Sequence, residues 1–308
     1  MTTPKIKVIG IGGAGCNTIS RLNSLGLKGI DLIAVNADAQ ALKKSKSPQK
    51  ILIGEKTTGG LGTGMDYRLG EKAAQESKEK LTEVLEGSKM VFLTCGLGGG
   101  TGSSGIGVLA ELAKNLGILT IAIVTKPFSF EGSFRQKVAN WGLSKLEDKV
   151  DSLLCIPNDR ILKIIGRTTS VEEAFLKCDE VLSQAVQGIS DLISVPGVIS
   201  LDFADVEEIL KNSGRALFGV GRAKGENRAI AAASSALQSP LLDFPIKRAR
   251  GILFNIGGED LALFEVNSVA NFIKKIADNN SKIIFGVSAD KSLDKGEIKV
   301  TVIATGVE

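Results

Sequence analysis

The sequence predicts an α/β fold in three parts: a Rossmann-like, mainly parallel sheet over residues 1–169, a long central helix over 170–195, and a smaller α+β domain over 196–308. Three observations predict it. Short apolar runs alternate with amphipathic stretches through the first half, the mark of strand–helix–strand units whose sheet is covered on both faces. One unbroken helical periodicity follows, carried by Val171, Ala174, Phe175, Cys178, Val181, Leu182, Ala185, Val186 and Ile189 and stopped by Pro196-Gly197. After that stop the alternation is lost.

Taken in order, the apolar runs at 5–9, 32–36, 51–53, 90–94, 118–124 and 153–156 predict strands. Helices are expected at 16–25, 67–85, 104–116 and 133–146 between them. The long helix over 170–192, at about 20 residues, reaches roughly 30 Å. In the last part helices are expected near 205–212 and 226–237, then the apolar runs 251–256 and 261–266, a helix at 268–277, and runs at 282–287 and 297–304.

The densest chemical signal is Gly96 to Gly105, GLGGGTGSSG, between a strand pattern and a helix pattern. Glycines let backbone N–H groups converge without Cβ atoms in the way. The helix that follows offers unpaired amides and a partial positive charge. A phosphate chain suits that place, and Thr101, Ser103 and Ser104 add hydroxyls. A second loop, Gly10-Ile11-Gly12-Gly13-Ala14-Gly15, follows the first strand and matches the GxGxxG dinucleotide pattern. A third cluster runs from Gly59 to Gly64. A NAD-binding enzyme, with Asp31 or Asp38 on the ribose, is thus the rival reading. Several anion cradles suit a triphosphate better than a pyrophosphate. No GxxxxGK[ST] motif occurs, so a P-loop is excluded.

Composition narrows the chemistry. The chain has 308 residues, 43% hydrophobic and 23% charged, enough for a large core. It has no histidine, which excludes a Ser-His-Asp triad, a His-ligated zinc and an imidazole base. Its four cysteines lack CxxC spacing, consistent with reduced thiols in the cytoplasm. A net charge of +4 and sparse aromatics give no nucleic-acid platform, and the basic stretch 43–50 reads as a solvated loop. No apolar run of 18 residues and no signal-peptide layout are present, so no direct membrane insertion is expected.

The motifs together resemble the bacterial cell-division GTPases of the tubulin/FtsZ superfamily. Gly98-Gly99-Gly100-Thr101-Gly102-Ser103 is similar to the tubulin-type signature loop. Residues 124–128 (VTKPF), 130–132 (FEG), 156–159 (IPND), 185–189 (AVQGI) and 202–206 (DFADV) follow in the family's order, covering about residues 5 to 306. The resemblance implies a protein that binds GTP/GDP and polymerises head to tail with nucleotide at each junction. It implies that Gly12, Gly13 and Asn17 line the nucleotide. Ala37 and Asp38 would lie near the phosphates and Mg²⁺, itself held mainly through the phosphates. Gly62, Thr63 and Gly64 would face the γ-phosphate and Gly98 to Ser103 cradle the chain. Glu131 and Arg135 would touch ribose and phosphate, and Asn158, Phe175 and Asp179 would hold the base. Phe175 and Asp179 are four apart, hence on one helix face, and a carboxylate accepts from both donors of the guanine edge. Glu131 and Arg135 share that spacing and can pair with each other.

No general base stands out in the first domain. Asp202 and Asp205, three apart at a helix start, suit either an N-cap or the positioning of water. The resemblance implies that they enter the next subunit's nucleotide site and complete it. A contact of that kind is heterologous and builds a filament. Ser200 stands where the family usually has Asn, which points to an alternative, a GTP-binding filament with little hydrolysis. Ala37 stands where many relatives have Thr, and the basic balance is unusual for the family. Relatives continue into a tail that docks membrane-anchoring and division proteins at midcell; that tail is absent from this sequence.

Overall fold

The computed structural model describes residues 5–27, 29–166, 168–194, 197–239, 249–290 and 293–307. The expected stop at Pro196 lies outside them. Two compact units make up the chain, Met1–Gln187 and Gly188–Glu308.

In the first unit the strands are β1 (Ile6–Ile11), β2 (Ile30–Asn36), β3 (Gln49–Leu52), β4 (Met90–Gly96), β5 (Leu119–Lys126) and β6 (Ser152–Pro157). Their order is β3-β2-β1-β4-β5-β6, every pairing parallel. The expected strands at 5–9, 32–36, 51–53, 90–94, 118–124 and 153–156 are all present, with ends displaced by a few residues. The helices are α1 (Gly12–Ser24), α2 (Ala39–Lys44), α3 (Glu55–Thr58), α4 (Tyr67–Glu76), α5 (Lys78–Leu85), α6 (Gly100–Asn115), α7 (Ser133–Ser144) and the start of α8 (Val171–Ser194). Short 3₁₀ turns cover Ser129–Glu131 and Asn158–Lys163. The core joins Ile9, Ile11, Val91, Leu93 and Val124 of the sheet to Leu81, Leu85, Ile106 and Leu109.

From β1 the chain winds outward through β2 and β3, then returns to β4 on the other side. Neighbours β1 and β4 therefore bound the point where the winding direction reverses, and ligands of open α/β sheets bind in the crevice at the strand ends there. The two glycine loops leave β1 and β4. Topology thus brings together two motifs some 85 positions apart in the chain.

Several elements differ from the sequence reading. The helix expected over 67–85 breaks at Ser77, which leaves Glu76 and Ser77 to bond another segment. Glu76 accepts from Lys56 N at 3.0 Å and Thr57 N at 2.8 Å, and Ser77 Oγ accepts from Gly54 N at 3.0 Å. Helices α1 and α6 begin four residues earlier than expected, because their first turns are the glycine loops themselves. In the second unit the run 261–266 is not a separate strand. Ala262 N donates to Glu265 at 3.0 Å and α11 opens at Leu263.

The second unit comprises the end of α8, α9 (Phe203–Leu210), β7 (Gly214–Lys224), α10 (Arg228–Leu237), β8 (Gly251–Gly257), α11 (Leu263–Ile276), β9 (Lys282–Ser288) and β10 (Glu297–Thr305). Strand β10 lies antiparallel between β7 and β8, and β9 pairs parallel to β8. The alanine face of α10 and Val266, Val269 and Ile273 of α11 pack on Ile252, Phe254 and Ile256. Strand β7 escapes the sequence reading because Gly219, Gly221 and its flanking cations break the apolar pattern. Gly221 is needed for packing: a Cβ there would lie 2.0 Å from Ala232 O of α10.

Candidate nucleotide site

The crevice at β1 and β4 holds a cavity of about 290 Å³ within the first unit. One end is made of backbone. Helix α1 starts at Gly12 and α6 at Gly100, neither with a side-chain cap. By contrast α2 and α4 are capped by Asp38 and Asp66. The uncapped helices keep free amides and their positive dipole ends pointing into the cavity. Close approach forces glycine here. Gly12 sits at φ +72°, and a Cβ on it would lie 3.0 Å from Gly102 N. A Cβ on Gly100 would lie 2.4 Å from Thr63 Oγ1 and 2.7 Å from Asp66 O.

Of the residues singled out in the sequence, Gly12, Gly13, Thr63, Gly99, Gly100, Thr101, Gly102, Glu131, Arg135, Asn158, Phe175 and Asp179 line this cavity. Thr63 and Thr101 share a hydroxyl contact at 3.2 Å. The remaining candidates of the first unit frame the site. Gly98 N donates to the buried Ser103 Oγ at 2.8 Å, which fixes the bend before α6. Buried Ala37 accepts from Gly62 N at 3.1 Å, and Asp38 bridges to Leu61, so the third glycine cluster is tied to the end of β2. Gly64, at φ +53°, turns the chain toward Met65. Asn17, one turn into α1, faces the Asp179 carboxylate.

The other end is made of side chains. Asn158 is buried, and its Oδ1 has no partner. A buried unpaired carbonyl is costly, so this atom is an acceptor awaiting a donor. Burial pushes the Asp179 carboxyl up to about 6, against the opposing pull of Asn17 and Arg21. Phe175 is 39% exposed and meets Phe128 edge to face at 5.4 Å. Away from this base end, toward the phosphate end, Glu131 pairs with Arg135 at 2.5 Å and also accepts from Phe128 N at 2.8 Å.

Further lining residues escaped the sequence reading: Ala14, Met65, Gly96, Leu97, Thr125, Pro127 and Cys178. Gly96 and Leu97 belong to the motif already singled out, and Cys178 adjoins Asp179. Thr125 and Pro127 lie in the VTKPF stretch that carries the resemblance, and Ala14 in the second glycine loop, though none of the three was assigned a role there. The Cys178 thiol is pushed up to about 12, first by burial, so it is not a nucleophile.

Known proteins share this fold. A model of the Tubulin/FtsZ family, GTPase domain, matches residues 5–166, and one of the FtsZ family, C-terminal domain, matches residues 214–308. The chain belongs to the tubulin/FtsZ family. An FtsZ dimer from M. jannaschii, described as empty, is 44% identical, with 100% of this chain and 89% of that one aligned at a TM-score of 0.95. Two proteins of Haloferax volcanii share the fold at TM-scores of 0.85. CetZ2, a GTPgS-bound protofilament, is 23% identical, covering 99% of this chain and 93% of its own. CetZ1, a GDP-bound monomer, is 22% identical, covering 99% and 94%. Strand order alone does not separate this fold from a dinucleotide-binding one. The family match does: residues 5–166 are a GTPase domain of the Tubulin/FtsZ family.

In the second unit Asp202 and Asp205 cap α9 reciprocally. Asp205 N donates to Asp202 Oδ1 at 3.0 Å, and Asp202 N to Asp205 Oδ2 at 3.4 Å. Asp202 is exposed and Asp205 half-buried, and each keeps one oxygen outside this box. Ser200 Oγ accepts from Gly197 N and donates to Gly197 O, both at 3.1 Å, closing the turn before them.

Proposed function

We propose that this cavity takes GTP, phosphates at the glycine end and guanine at the Asn158/Asp179 end. We further propose that subunits join head to tail so that Asp202 and Asp205 of one complete the hydrolytic site of the next. The observation that carries the base assignment is the pair of acceptors, the unpartnered Asn158 Oδ1 and the desolvated Asp179 carboxylate. Guanine presents N1–H and N2–H₂ on one edge; adenine presents an acceptor at N1. The glycine end supplies the complementary donors, amides that need no titratable group.

Among the described residues no cluster of three or more His, Cys, Asp or Glu side chains is arranged to hold a metal ion. A Mg²⁺ accompanying the nucleotide would be held by phosphate oxygens and water, and would supply charge neutralisation there. The chain's own part is positional. The amides of α1 and α6 fix the phosphate chain, and the borrowed carboxylates orient the attacking water in line with the leaving oxygen. In the cell such filaments would act in the cytoplasm in division at midcell, with membrane-anchoring partners.

Ser200 supports a second reading, a filament with slow hydrolysis. Its short side chain is spent on its own turn and brings no amide toward a water.

Complementation tests the shared site. Gly100→Val disables the phosphate end and Asp202→Asn the donated carboxylate. Each variant alone is expected to be inactive. Mixed, they should regain phosphate release, because nucleotide held by one meets carboxylates from the other. A mixture as silent as its components would place the acids and the nucleotide within one chain.

A further inference from the structure

We propose that Asp159 is a positioning residue for the base: it latches the end of β6 to the turn at Ser129–Glu131 and so holds Phe128 against Phe175. The proposal rests on the cavity taking a purine nucleotide with its base beside Asn158, Phe175 and Asp179.

Asp159 follows Asn158 and does not itself line the cavity. Strands β5 and β6 are parallel neighbours, with Lys126 opposite Pro157, so the segments that leave them stand side by side. Asp159 joins those segments. Its Oδ1 accepts from Ser129 N at 2.9 Å, and its Oδ2 accepts from Ser129 Oγ. The turn's other bonds are local. Gln136 Nε2 donates to Pro127 O at 2.9 Å and to Phe128 O at 3.2 Å, and Phe128 N donates to Glu131 Oε1 at 2.8 Å. Those bonds shape the turn; the Asp159 pair fixes where it stands relative to Asn158.

Ser129 lies between two rings. Phe128 is fully buried and Phe130 is exposed, and they stack with centroids 4.9 Å apart. Phe128 also meets Phe175 edge to face at 5.4 Å, and Phe175 lines the cavity. The latch therefore ties the unpartnered Asn158 acceptor and the Phe175 ring to one frame, although they come from β6 and α8. With the latch cut, the turn is free to shift and Phe175 loses its backing. An aromatic ring stacks on any base whatever the pattern of its edge. The latch thus serves guanine and adenine alike, and the phosphates not at all.

The test is equilibrium binding of GTP, ATP and inorganic tripolyphosphate to the whole chain and its variants. Asp159→Ala should weaken GTP and ATP by one common factor, about 3- to 10-fold, the worth of one well-placed aromatic contact, and leave tripolyphosphate unchanged. Ser129→Ala, which removes one of the two bonds, should show the same pattern at smaller size. Asp159→Asn should restore binding, because its amide oxygen accepts from Ser129 N and its amide nitrogen donates to Ser129 Oγ. In a Phe175→Leu background, adding Asp159→Ala should cost less than about 2-fold more, since the two act through one ring. An equal loss for tripolyphosphate would mean general loosening of the fold and would overturn the proposal. So would full additivity with Phe175→Leu, or an Asp159→Asn as weak as Asp159→Ala. A wild-type chain that binds tripolyphosphate as tightly as GTP would instead remove the base assignment beneath it.

Discussion

The two ends of the cavity are built of different material. At the phosphate end the working groups are amides, and their places are set by glycines that pack against each other and against Thr63 and Asp66. At the base end they are side chains, Asn158, Phe175 and Asp179, two of them polar groups held away from water. The first end is a matter of shape. It should fail abruptly, without regard to the base, and without regard to pH. The second is a matter of charge and donor pattern. It should fail selectively and by degrees.

The largest effect is expected at Gly100. A side chain there must push back Thr63 Oγ1 and the backbone of Asp66, which shifts the first turn of α6. Misplacement by about 1 Å costs roughly 100-fold in a positioned site. Gly100→Val should therefore weaken GTP, GDP and ATP alike by at least about 100-fold in equilibrium binding. A loss confined to one base would break the division of labour between the ends.

Asp179→Ala comes next. It removes two charge-assisted hydrogen bonds, together worth about 3 kcal/mol and hence about 100-fold for GTP. ATP, which cannot make them, should change by less than about 3-fold, as read by competition with a labelled nucleotide. Equal losses for both would mean that Asp179 serves the fold and reads nothing.

The same contrast explains what the sequence disclosed. The glycine loops were legible because phosphate binding is local chemistry: strand, glycines and helix start are contiguous in GLGGGTGSSG. The parallel sheet was legible because its central strands β1, β4 and β5 are almost continuous apolar runs, buried on both faces. The base end was legible only through resemblance. Phe175 and Asp179 look like any aromatic and acid on an amphipathic helix, and the Asn17 and Arg21 contacts to α8 join residues some 160 positions apart. Ser77 was opaque for the same reason. Nothing local breaks the helix over 67–85; the break is set by bonds to Gly54, Lys56 and Thr57. Asp202 and Asp205 were legible as a cap, and the cap is what the chain by itself displays.

A third experiment sharpens the contrast through stability. Asp179 titrates at about 6 in the fold, above its ordinary 3.8. The folded chain thus holds this proton more tightly than the unfolded chain does. That stabilisation is fully present below about pH 3.8 and is lost as pH rises through about 6. At pH 7 the nucleotide-free protein carries a buried charge that opposes folding. Asp179→Asn should raise its unfolding free energy at pH 7 by on the order of 1–3 kcal/mol. The gain should shrink as pH falls toward 4, where the wild-type carboxyl is neutral. Denaturant titrations at the two pH values measure it. A variant less stable than wild type at pH 7 would show that the charge is already well paired without nucleotide.

The smallest effect is expected from Glu131→Gln, and it decides whether the phosphate end owes anything to charge. Glu131 ends the 3₁₀ turn before α7 and Arg135 lies in the first turn of α7; the glutamate side chain is 9% exposed and the arginine 43%. Fully exposed pairs contribute about 0.3–0.5 kcal/mol and are screened by salt, and this half-covered one somewhat more, up to about 1 kcal/mol. The glutamine amide oxygen can still accept from Phe128 N, so the turn at Ser129–Glu131 keeps its bond. The unfolding free energy should therefore fall by no more than about 1 kcal/mol, and by less in high salt. Nucleotide affinity should drop modestly and equally for GTP and ATP, since neither residue meets the base edge. A loss several times larger, abolished by salt, would mean that the Glu131–Arg135 pair locks the loop carrying Phe128. Shape at the phosphate end would then depend on an ion pair, and glycine packing alone would no longer account for it.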